Sequence, residues 1–450
     1  MQEGRCGMPR DMEQKPTRVP FPAKQVGETS SRWDWVEPCI WTNRMLTALE
    51  TGVKGGQWFS LIDKVYRDRT LYQAFRKVSA NGGAAGVDHV SIERFDEQLI
   101  PNLRKLSQQL REGNYQPQAI RRQWIPKPGS SELRPLGIPT VRDRVVQTAL
   151  RNVLEPIFER DFAEQSYGFR PGRGCKDALR RVDMLLESGY THVVDADLKG
   201  YFDTIPHDKL MDRIREKIRD GQVLTLLEMF LRQQVLENLS KWTPERGSPQ
   251  GAVISPLLSN IYLDPLDHLM AGIGFEMVRY ADDFVILCRT REDAERALEL
   301  VRQWTAEADL TLHPDKTHIV DIAEGSFDFL GYTFQGRYRV PRKKSLQKFK
   351  DVIRQRTRRT NGHSLQCIIA GLNPTLRGWF EYFQHCQPST YTALDKWVRM
   401  RLRSILRKRR KGKGRGRGHD HQRWPNVFFA KQGLFSLKQT YVLACQSSER

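Results

Sequence analysis

The chain has 450 residues, of which 39% are hydrophobic and ten are tryptophan. This is enough to build sizeable cores in two or three domains and excludes a disordered protein. Lys and Arg number 73 against 53 Asp and Glu, a net charge of +20, which indicates a polyanionic partner, nucleic acid before anionic membrane. No apolar run approaches a membrane span, and the seven dispersed cysteines form no Cys-x-x-Cys pair. We therefore expect no membrane partner, zinc ribbon or disulfide framework, and a reducing cytoplasm.

The pattern of the first part of the chain predicts a tail followed by helices. Residues 1–35 are polar, with scattered Pro, Gly and Ser, and are predicted to be a loose tail. Apolar spacing from 41 to 80 is helical, and a glycine-rich loop at 81–86 precedes an amphipathic helix through 95–110. Residues 123–126 are predicted to form a strand that enters a turn.

The middle of the chain alternates between helical and strand patterns, which predicts a mixed α/β (α+β) domain. The predicted helices are 141–160, about 207–218, about 222–236, 257–270 and about 291–308, and the predicted strands are 192–198, 275–279, 284–288, 317–323 and 327–334. From about residue 340 the chain is strongly basic and mostly helical. A flexible basic linker is predicted near 408–420.

Two adjacent acids, Asp282 and Asp283, lie between the strand-like runs 275–279 and 284–288. The chain must turn between the runs, so the acids are predicted at a hairpin tip. Acids among buried strands are costly unless a metal or another charge neutralises them. Mg²⁺ does this with carboxylate oxygens and substrate phosphates. The alternative is a solvated Asp-Asp turn.

A second acidic segment ends the predicted strand 192–198. Alternation puts Asp195 and Asp197 on one face, and the exit of the strand favours Asp197 as the functional acid. Asp195 is alternatively a solvated or structural acid, and Asp203 alternatively caps the next segment. Nucleotidyl transfer needs carboxylates from separate elements that converge on two metals about 4 Å apart.

Asp197-Leu198-Lys199-Gly200-Tyr201-Phe202-Asp203 and Tyr280-Ala281-Asp282-Asp283 resemble the palm motifs of reverse transcriptases, specifically of group II intron-encoded reverse transcriptase/maturases. Other segments resemble the remaining motifs of that family in the same order. These segments are 134–139 for the fingers, 166–173 before the palm strand, 248–251 with 255–258 beside the nucleotide, 313–317 and 329–332 for the last palm motifs, and 378–383 for the maturase domain. The resemblance covers roughly residues 40–440.

The resemblance implies right-hand polymerase fingers and palm, followed by an α-helical thumb/maturase domain. The implied domains are a tail at 1–35, an N-terminal extension with fingers at 36–180, a palm at 181–338, a thumb at 339–408, and a basic linker with a DNA-contacting tail, but no HNH endonuclease, at 409–450. Asp197, Asp282 and Asp283 would be catalytic. Asp197, Leu198 and Asp282 would bind two Mg²⁺ ions.

The resemblance also implies a set of nucleotide contacts. Lys127 and Arg134 would hold the triphosphate, or alternatively contact template phosphate. Phe202 would be the steric gate that excludes ribonucleotides, or a core aromatic. Gln250 would brace the nucleotide or template base. Lys316 would lie near the active site, or on the surface.

The basic C-terminal region would bind RNA. The RNA contacts implied there are Arg401, Arg403, Arg407, Lys408, Arg409, Arg410 and Lys411. The implied partners are group II intron RNA, target DNA with its primer, and dNTPs, in the bacterial cytoplasm. Two alternatives remain open: a domesticated or defence-type reverse transcriptase that acts on another RNA, and a splicing-only RNA chaperone.

Overall fold

A computed structural model describes residues 31–126, 133–238, 240–336, 338–416 and 418–448. The chain divides into two compact units, and the division falls between Lys348 and Phe349. Sequence composition places the start of the thumb about ten residues earlier, at 339.

The first unit combines helices with three small sheets, as the α/β expectation requires. Its helices are α1 (Asn43–Thr51), α2 (Ile62–Val65), α3 (Asp68–Asn81), α4 (Ile92–Glu97), α5 (Leu99–Glu112), α6 (Val141–Glu159), α7 (Cys175–Glu187), α8 (Tyr201–Thr204), α9 (His207–Arg215), α10 (Gly221–Leu231), α11 (Ser255–Ile273) and α12 (Arg291–Glu307). Its strands are β1 (Ile120–Pro126), β2 (Leu133–Ile138), β3 (His192–Asp197), β4 (Val235–Glu237), β5 (Ser240–Trp242), β6 (Glu276–Tyr280), β7 (Asp283–Cys288), β8 (His318–Asp321), β9 (Ser326–Phe329), β10 (Tyr332–Gln335) and β11 (Tyr338–Pro341).

Three features differ from the sequence predictions. The predicted tail reaches residue 35, but Trp33 is buried and packs in the core. The helix predicted at 222–236 ends at Leu231, because Val235 pairs with Ile120 of β1 and begins a strand. The single strand predicted at 327–334 is a hairpin, β9 and β10. Leu330 and Gly331 turn it with φ values of 46° and 83°, the positive φ pair that a two-residue hairpin loop favours.

The sheet that positions the acids is antiparallel, with the order β6-β7-β3-β8. One face is apolar and joins the main core through Val194, Ala196, Phe284 and Ile286. Because side chains alternate along a strand, the opposite face carries the acids of β3 and the first residue of β7. Helices α11 and α12 pack against this sheet.

A second sheet, with the order β2-β1-β4-β5, is built from the hairpin β1–β2 and the hairpin β4–β5. It is tied to the loop that follows β5, because the Gly137 amide donates to the Gln250 carbonyl (2.6 Å). The contact is so close that a Cβ on Gly251 would lie 2.5 Å from the Gly137 carbonyl oxygen.

The second unit is helical. Helix α13 (Lys343–Arg356) spans the division, and α14 (Leu365–Phe383), α15 (Pro388–Arg409), α16 (His419–Arg423), α17 (Asn426–Lys431) and α18 (Leu437–Ser448) follow. Trp379, Phe380 and Phe383 of α14 are buried and pack in the core of this unit. Buried Asp395 accepts hydrogen bonds from the Leu437 amide (3.1 Å) and the Ser436 hydroxyl (2.7 Å) and so fixes the start of α18. No helix in the described ranges is both long and apolar enough for a membrane span.

Candidate active site

The two adjacent acids lie at a hairpin tip, as the sequence predicts. Tyr280 at the end of β6 pairs with Asp283 at the start of β7, so Ala281 and Asp282 form a two-residue turn. Ala281 adopts a φ of 61°, a conformation that costs a non-glycine residue about 1–2 kcal/mol. The turn therefore needs support from its surroundings.

Asp197 lies directly across the sheet from Asp283, since these two residues are partners in the β3–β7 register. Directly opposed residues in an antiparallel pair project to the same face. Asp195 lies on the same face, and its register partner on β8 is His318. The sheet thus brings the two acidic segments of the sequence together.

The crowding of these acids shows in their pKa values. Burial, reinforced by the charges of Asp195, Asp282 and Asp197, raises the pKa of Asp283 to about 7. Burial also raises the pKa of Asp282, with a further contribution from the Asp197 charge, and burial raises the pKa of Asp195 to about 6. A cluster of carboxylates that destabilise one another in this way is suited to a divalent cation.

Lys316 lies at this cluster and not on a remote surface. Its Nζ atom is 2.6 Å from Oδ2 of Asp197. The lysine side chain is 59% exposed, so its ammonium group also contacts solvent. The contact shows that the Asp197 carboxylate is accessible to a cation.

The available oxygen atoms fit magnesium, which prefers hard oxygen ligands. Leu198 can contribute only its carbonyl. The Asp197 carbonyl accepts a hydrogen bond from the His313 amide, and the Lys199 amide donates to the Thr311 carbonyl. Because backbone hydrogen-bonding directions alternate along a strand, the Leu198 carbonyl is directed the other way, toward β7. Within the described ranges, no three His, Cys, Asp or Glu side chains converge on one point. Two carboxylates and one carbonyl are the donors this site offers.

A buried arginine that the sequence analysis did not single out holds the hairpin. Arg279, fully buried, donates to both carboxylate oxygens of buried Asp267, at 2.5–3.0 Å, and to the Ala281 carbonyl at 2.8 Å. It also donates to Asn260, which in turn donates to the Gly168 carbonyl (2.8 Å). These bonds support the strained turn. The only sequence signal is an arginine inside an apolar strand.

Phe202 and Gln250 share a cavity. It has a volume of about 200 Å³ and is also lined by Arg122, Trp242 and Arg246. Phe202 is half-buried, and its ring meets those of Phe169 and Tyr201 edge-on. Arg134 is exposed and does not line the cavity. By alternation it lies on the face of β2 opposite Pro135 and Gly137, which do. Lys127 lies outside the described residues.

The backbone of Phe202 is tied to the loop that carries Gln250. The Ser248 amide donates to the Phe202 carbonyl, and the Gly247 amide donates to the Ile205 carbonyl, both at 2.7 Å. Buried His207 donates from Nε2 to the Gly247 carbonyl, also at 2.7 Å. Sequence spacing identifies the loop but not these contacts, because they join segments about 45 residues apart.

The C-terminal basic residues divide into buried and exposed groups. Arg403 is wrong as a predicted RNA contact, because it is buried and donates to the Trp424 carbonyl and to Asn426. Arg401 is half-buried against Thr357, and half-buried Arg407 forms an ion pair with Asp420. The exposed members are Lys408, Arg409, Arg410 and Lys411. They remain predicted RNA contacts.

Comparison with known proteins identifies the families and relatives that this chain resembles. Residues 125–334 match the family described as reverse transcriptase (RNA-dependent DNA polymerase), and residues 346–424 match the group II intron, maturase-specific domain. The chain is 40% identical over 215 residues to the group II intron-encoded protein LtrA of Lactococcus lactis subsp. cremoris, which covers 47% of this chain and 35% of LtrA. It is 34% identical over 315 residues to protein YkfC of Escherichia coli (strain K12), which covers 60% of this chain and 82% of YkfC.

Among solved structures, a chain of a partial Cas6-RT-Cas1--Cas2 complex shares 25% identity at a TM-score of 0.36, over 55% of this chain and 41% of that chain. At that TM-score the similarity carries no structural argument. The match to LtrA spans about a third of the length of that relative. The two consecutive family matches extend over both units, and together with the match to YkfC they confirm the fold class expected from the motifs. The chain belongs to the family of group II intron-encoded reverse transcriptases/maturases.

Proposed function

We propose that this protein is an RNA-dependent DNA polymerase that also binds a group II intron RNA and assists its splicing. The observation that carries the polymerase part is the opposition of Asp197 and Asp283 across two antiparallel strands, with Asp282 in the adjoining turn. Nucleotidyl transfer requires carboxylates that converge from separate elements, and these acids meet at one end of two neighbouring strands.

In this proposal Asp197, Asp282 and the Leu198 carbonyl would hold two Mg²⁺ ions. Such ions would supply Lewis-acid chemistry, which lowers the pKa of the primer 3′-hydroxyl and neutralises the triphosphate and the leaving pyrophosphate. Burial raises the pKa of Asp283 to about 7, and from its position opposite Asp197 this acid would support the other two. Lys316 adds a positive charge beside Asp197. Ala281 is small and leaves room for the primer terminus.

The cavity beside Phe202 and Gln250 would take the incoming nucleotide. Phe202 would close it beneath the sugar and exclude a 2′-hydroxyl, and Gln250 would brace the nucleotide or the template base. Arg134 and Lys127 would bind the triphosphate, the former as a bidentate fork and the latter as a point charge. Since Arg134 does not line the cavity here, this role requires that the hairpin β1–β2 move or that the triphosphate extend beyond the cavity.

The second unit supplies the RNA-binding part of the proposal. Its matching family is a maturase-specific domain, and four consecutive exposed cations, residues 408–411, lie at the C-terminal end of α15 and just beyond it. We infer from these that the partners are intron RNA, target DNA with its primer and dNTPs, and that intron mobility proceeds by target-primed reverse transcription in a bacterial cytoplasm. The family match favours intron RNA over an unrelated RNA as the template.

Splicing of a transcript that carries the cognate intron tests both parts together. Asp282→Ala is expected to abolish DNA synthesis while splicing persists, because the acid lies far from the exposed cations in sequence and serves only the polymerase site. Loss of splicing together with synthesis, in a variant that melts at the temperature of the unchanged protein, would contradict the separation of the two activities. Splicing without synthesis by the unchanged protein would favour the splicing-only chaperone.

A further inference from the structure

One face of the sheet β2-β1-β4-β5 holds an arginine between two indole rings. Alternation places Arg122 and Trp124 on the same face of β1. The Arg122 Cζ atom lies 5.3 Å from the ring centroid of Trp124 and 5.2 Å from that of Trp242 on β5. Glu237 accepts a hydrogen bond from Trp124 Nε1 at 2.5 Å and lies 3.7 Å from Arg122 Nη1. The three aromatic and cationic groups therefore form a fixed row.

The outer member of this row is open to solvent. Trp124 is 44% exposed, although a tryptophan usually buries most of its surface. The ring is held at its edge by Glu237 and backed by Arg122, so its orientation is set before any ligand arrives. A preorganised aromatic surface loses little conformational entropy on binding.

The row is continuous with the cavity described above. Arg122 and Trp242 line that cavity together with Phe202 and Gln250. A strand that passes over Trp124 would thus lead into the pocket proposed for the incoming nucleotide. If that pocket takes the incoming nucleotide, a strand at this position would be the unpaired template that the polymerase copies next.

The local charge favours a base over a phosphate as the group bound. Arg122 is accompanied by Glu237, so its positive charge is already offset, and the other two charged residues that line the cavity, Asp203 and Arg246, are of opposite sign. Stacking on an aromatic ring depends little on local charge and accepts any base. The net charge of +20 supplies the general attraction for the strand.

We propose that Trp124, backed by Arg122 and Trp242, stacks an unpaired nucleobase of the single-stranded template RNA ahead of the nucleotide pocket. The proposal rests on the proposed polymerase function, since it gives the template its path. Base stacking on an aromatic side chain is worth about tenfold or more in affinity. Trp124 is therefore assigned as a template-binding residue.

The test uses the full chain and primer extension on two RNA templates, one with a single unpaired template nucleotide and one with a long unpaired 5′ overhang. Trp124→Ala is expected to raise the KM for the long-overhang template about tenfold and to leave the KM for the short one nearly unchanged. Trp124→Phe keeps a ring and is expected to restore most of the loss. Tyr72→Ala is the matched control, because Tyr72 is 41% exposed on α3.

Equal KM values for Trp124→Ala and the unchanged protein on the long-overhang template would overturn the proposal. An equal loss on both templates would also overturn it, because that result indicates a general defect. Binding of a labelled single-stranded RNA oligonucleotide, measured by anisotropy, separates this proposal from the polymerase proposal. If the unchanged protein extends no primer, a weaker RNA affinity of Trp124→Ala still supports the stacking site, and an unaltered affinity refutes it.

Discussion

Replacing Gly247 by alanine tests whether Phe202 acts as a gate whose position is set by the neighbouring loop. Gly247 has a φ of +89°, and a Cβ built on it would lie 2.8 Å from the Phe202 carbonyl oxygen and 2.9 Å from the Asp203 Cα and carbonyl carbon. These are backbone atoms, so no side-chain rotation can relieve the contact. The substitution must displace either the loop or the backbone of Phe202.

The size of the effect follows from the same distances. Ordinary contact begins at 3.4 Å, so the carbonyl of Phe202 must recede by about 0.6 Å. The positive φ costs alanine about 1–2 kcal/mol, and loss of the Ser248–Phe202 hydrogen bond about 1 kcal/mol more. We expect a stability loss of about 2–3 kcal/mol. Since a displacement of about 1 Å in a site costs up to about a hundredfold, we expect discrimination against ribonucleotides to fall about tenfold.

The assay is single-nucleotide primer extension with a dNTP and with the matching rNTP, which gives the ratio of the two kcat/KM values. Gly221→Ala is the control, because a Cβ there meets no atom within 4 Å, and its ratio is expected to equal that of the unchanged protein. Phe202→Ala provides the fully opened gate for comparison. A folded Gly247→Ala protein with an unchanged ratio would refute the reasoning, whatever its loss of stability.

Two further predictions concern the support of the hairpin and the binding of RNA. Arg279→Lys is expected to lower the free energy of unfolding by about 3–5 kcal/mol, because lysine cannot make the bidentate bond and leaves the buried Asp267 carboxylate incompletely paired. Urea unfolding measures this loss, and a loss under about 1 kcal/mol would show that the network does not hold the turn. Replacing residues 408–411 by Gln is expected to reduce the slope of log affinity for single-stranded RNA against log salt by up to about 3, at roughly 0.7 per phosphate contact. The same number of Gln substitutions at exposed basic positions of α12 (Arg291, Arg296, Arg302) with Lys241 is expected to change the slope less, and equal slopes in the two variants would place RNA binding elsewhere.

The hairpin at Tyr280–Asp283 could be predicted from sequence because its signal is local. Two apolar runs of strand-forming residues flank a short acidic interruption, and alternation along 192–198 places Asp195 and Asp197 on one face. The opposition of Asp197 and Asp283 depends on the register between β3 and β7. Register is a property of the assembled sheet, so the resemblance to a family, and not the local pattern, indicated that these acids meet.

Other parts could not be predicted because tertiary contacts override the usual behaviour of the residue. Arg279 and Arg403 are charged and yet buried, and a count of basic residues assigns both to the surface. Their burial depends on partners distant in sequence, Asp267 and Asn260 for the first and Trp424 and Asn426 for the second. The sequence pattern predicts helix through residue 236 and misses strand β4, since three residues are too few to show a period of two after an apolar helix.

The same limit applies to the nucleotide contacts. The motifs indicate Phe202, Gln250 and Arg134 as one set, but the structure brings only the first two into one cavity. The strand alternation that turns Arg134 away is visible only once the β1–β2 register is known. The sequence indicates only that Gly247 is a loop residue, and its close approach to Phe202 becomes apparent only from the folded backbone.

The most direct test of the central claim is extension of an oligo(dT) primer on poly(rA) with dTTP and Mg²⁺, by the unchanged protein and by Asp282→Asn. The control is Asp212→Asn, because the Asp212 side chain is 73% exposed on α9. We predict robust extension by the unchanged protein and the control, and a fall of several orders of magnitude in Asp282→Asn, because one carboxylate of the pair proposed to hold Mg²⁺ is lost. Extension by a folded Asp282→Asn protein within about tenfold of the unchanged rate, or no extension by the unchanged protein, would contradict it.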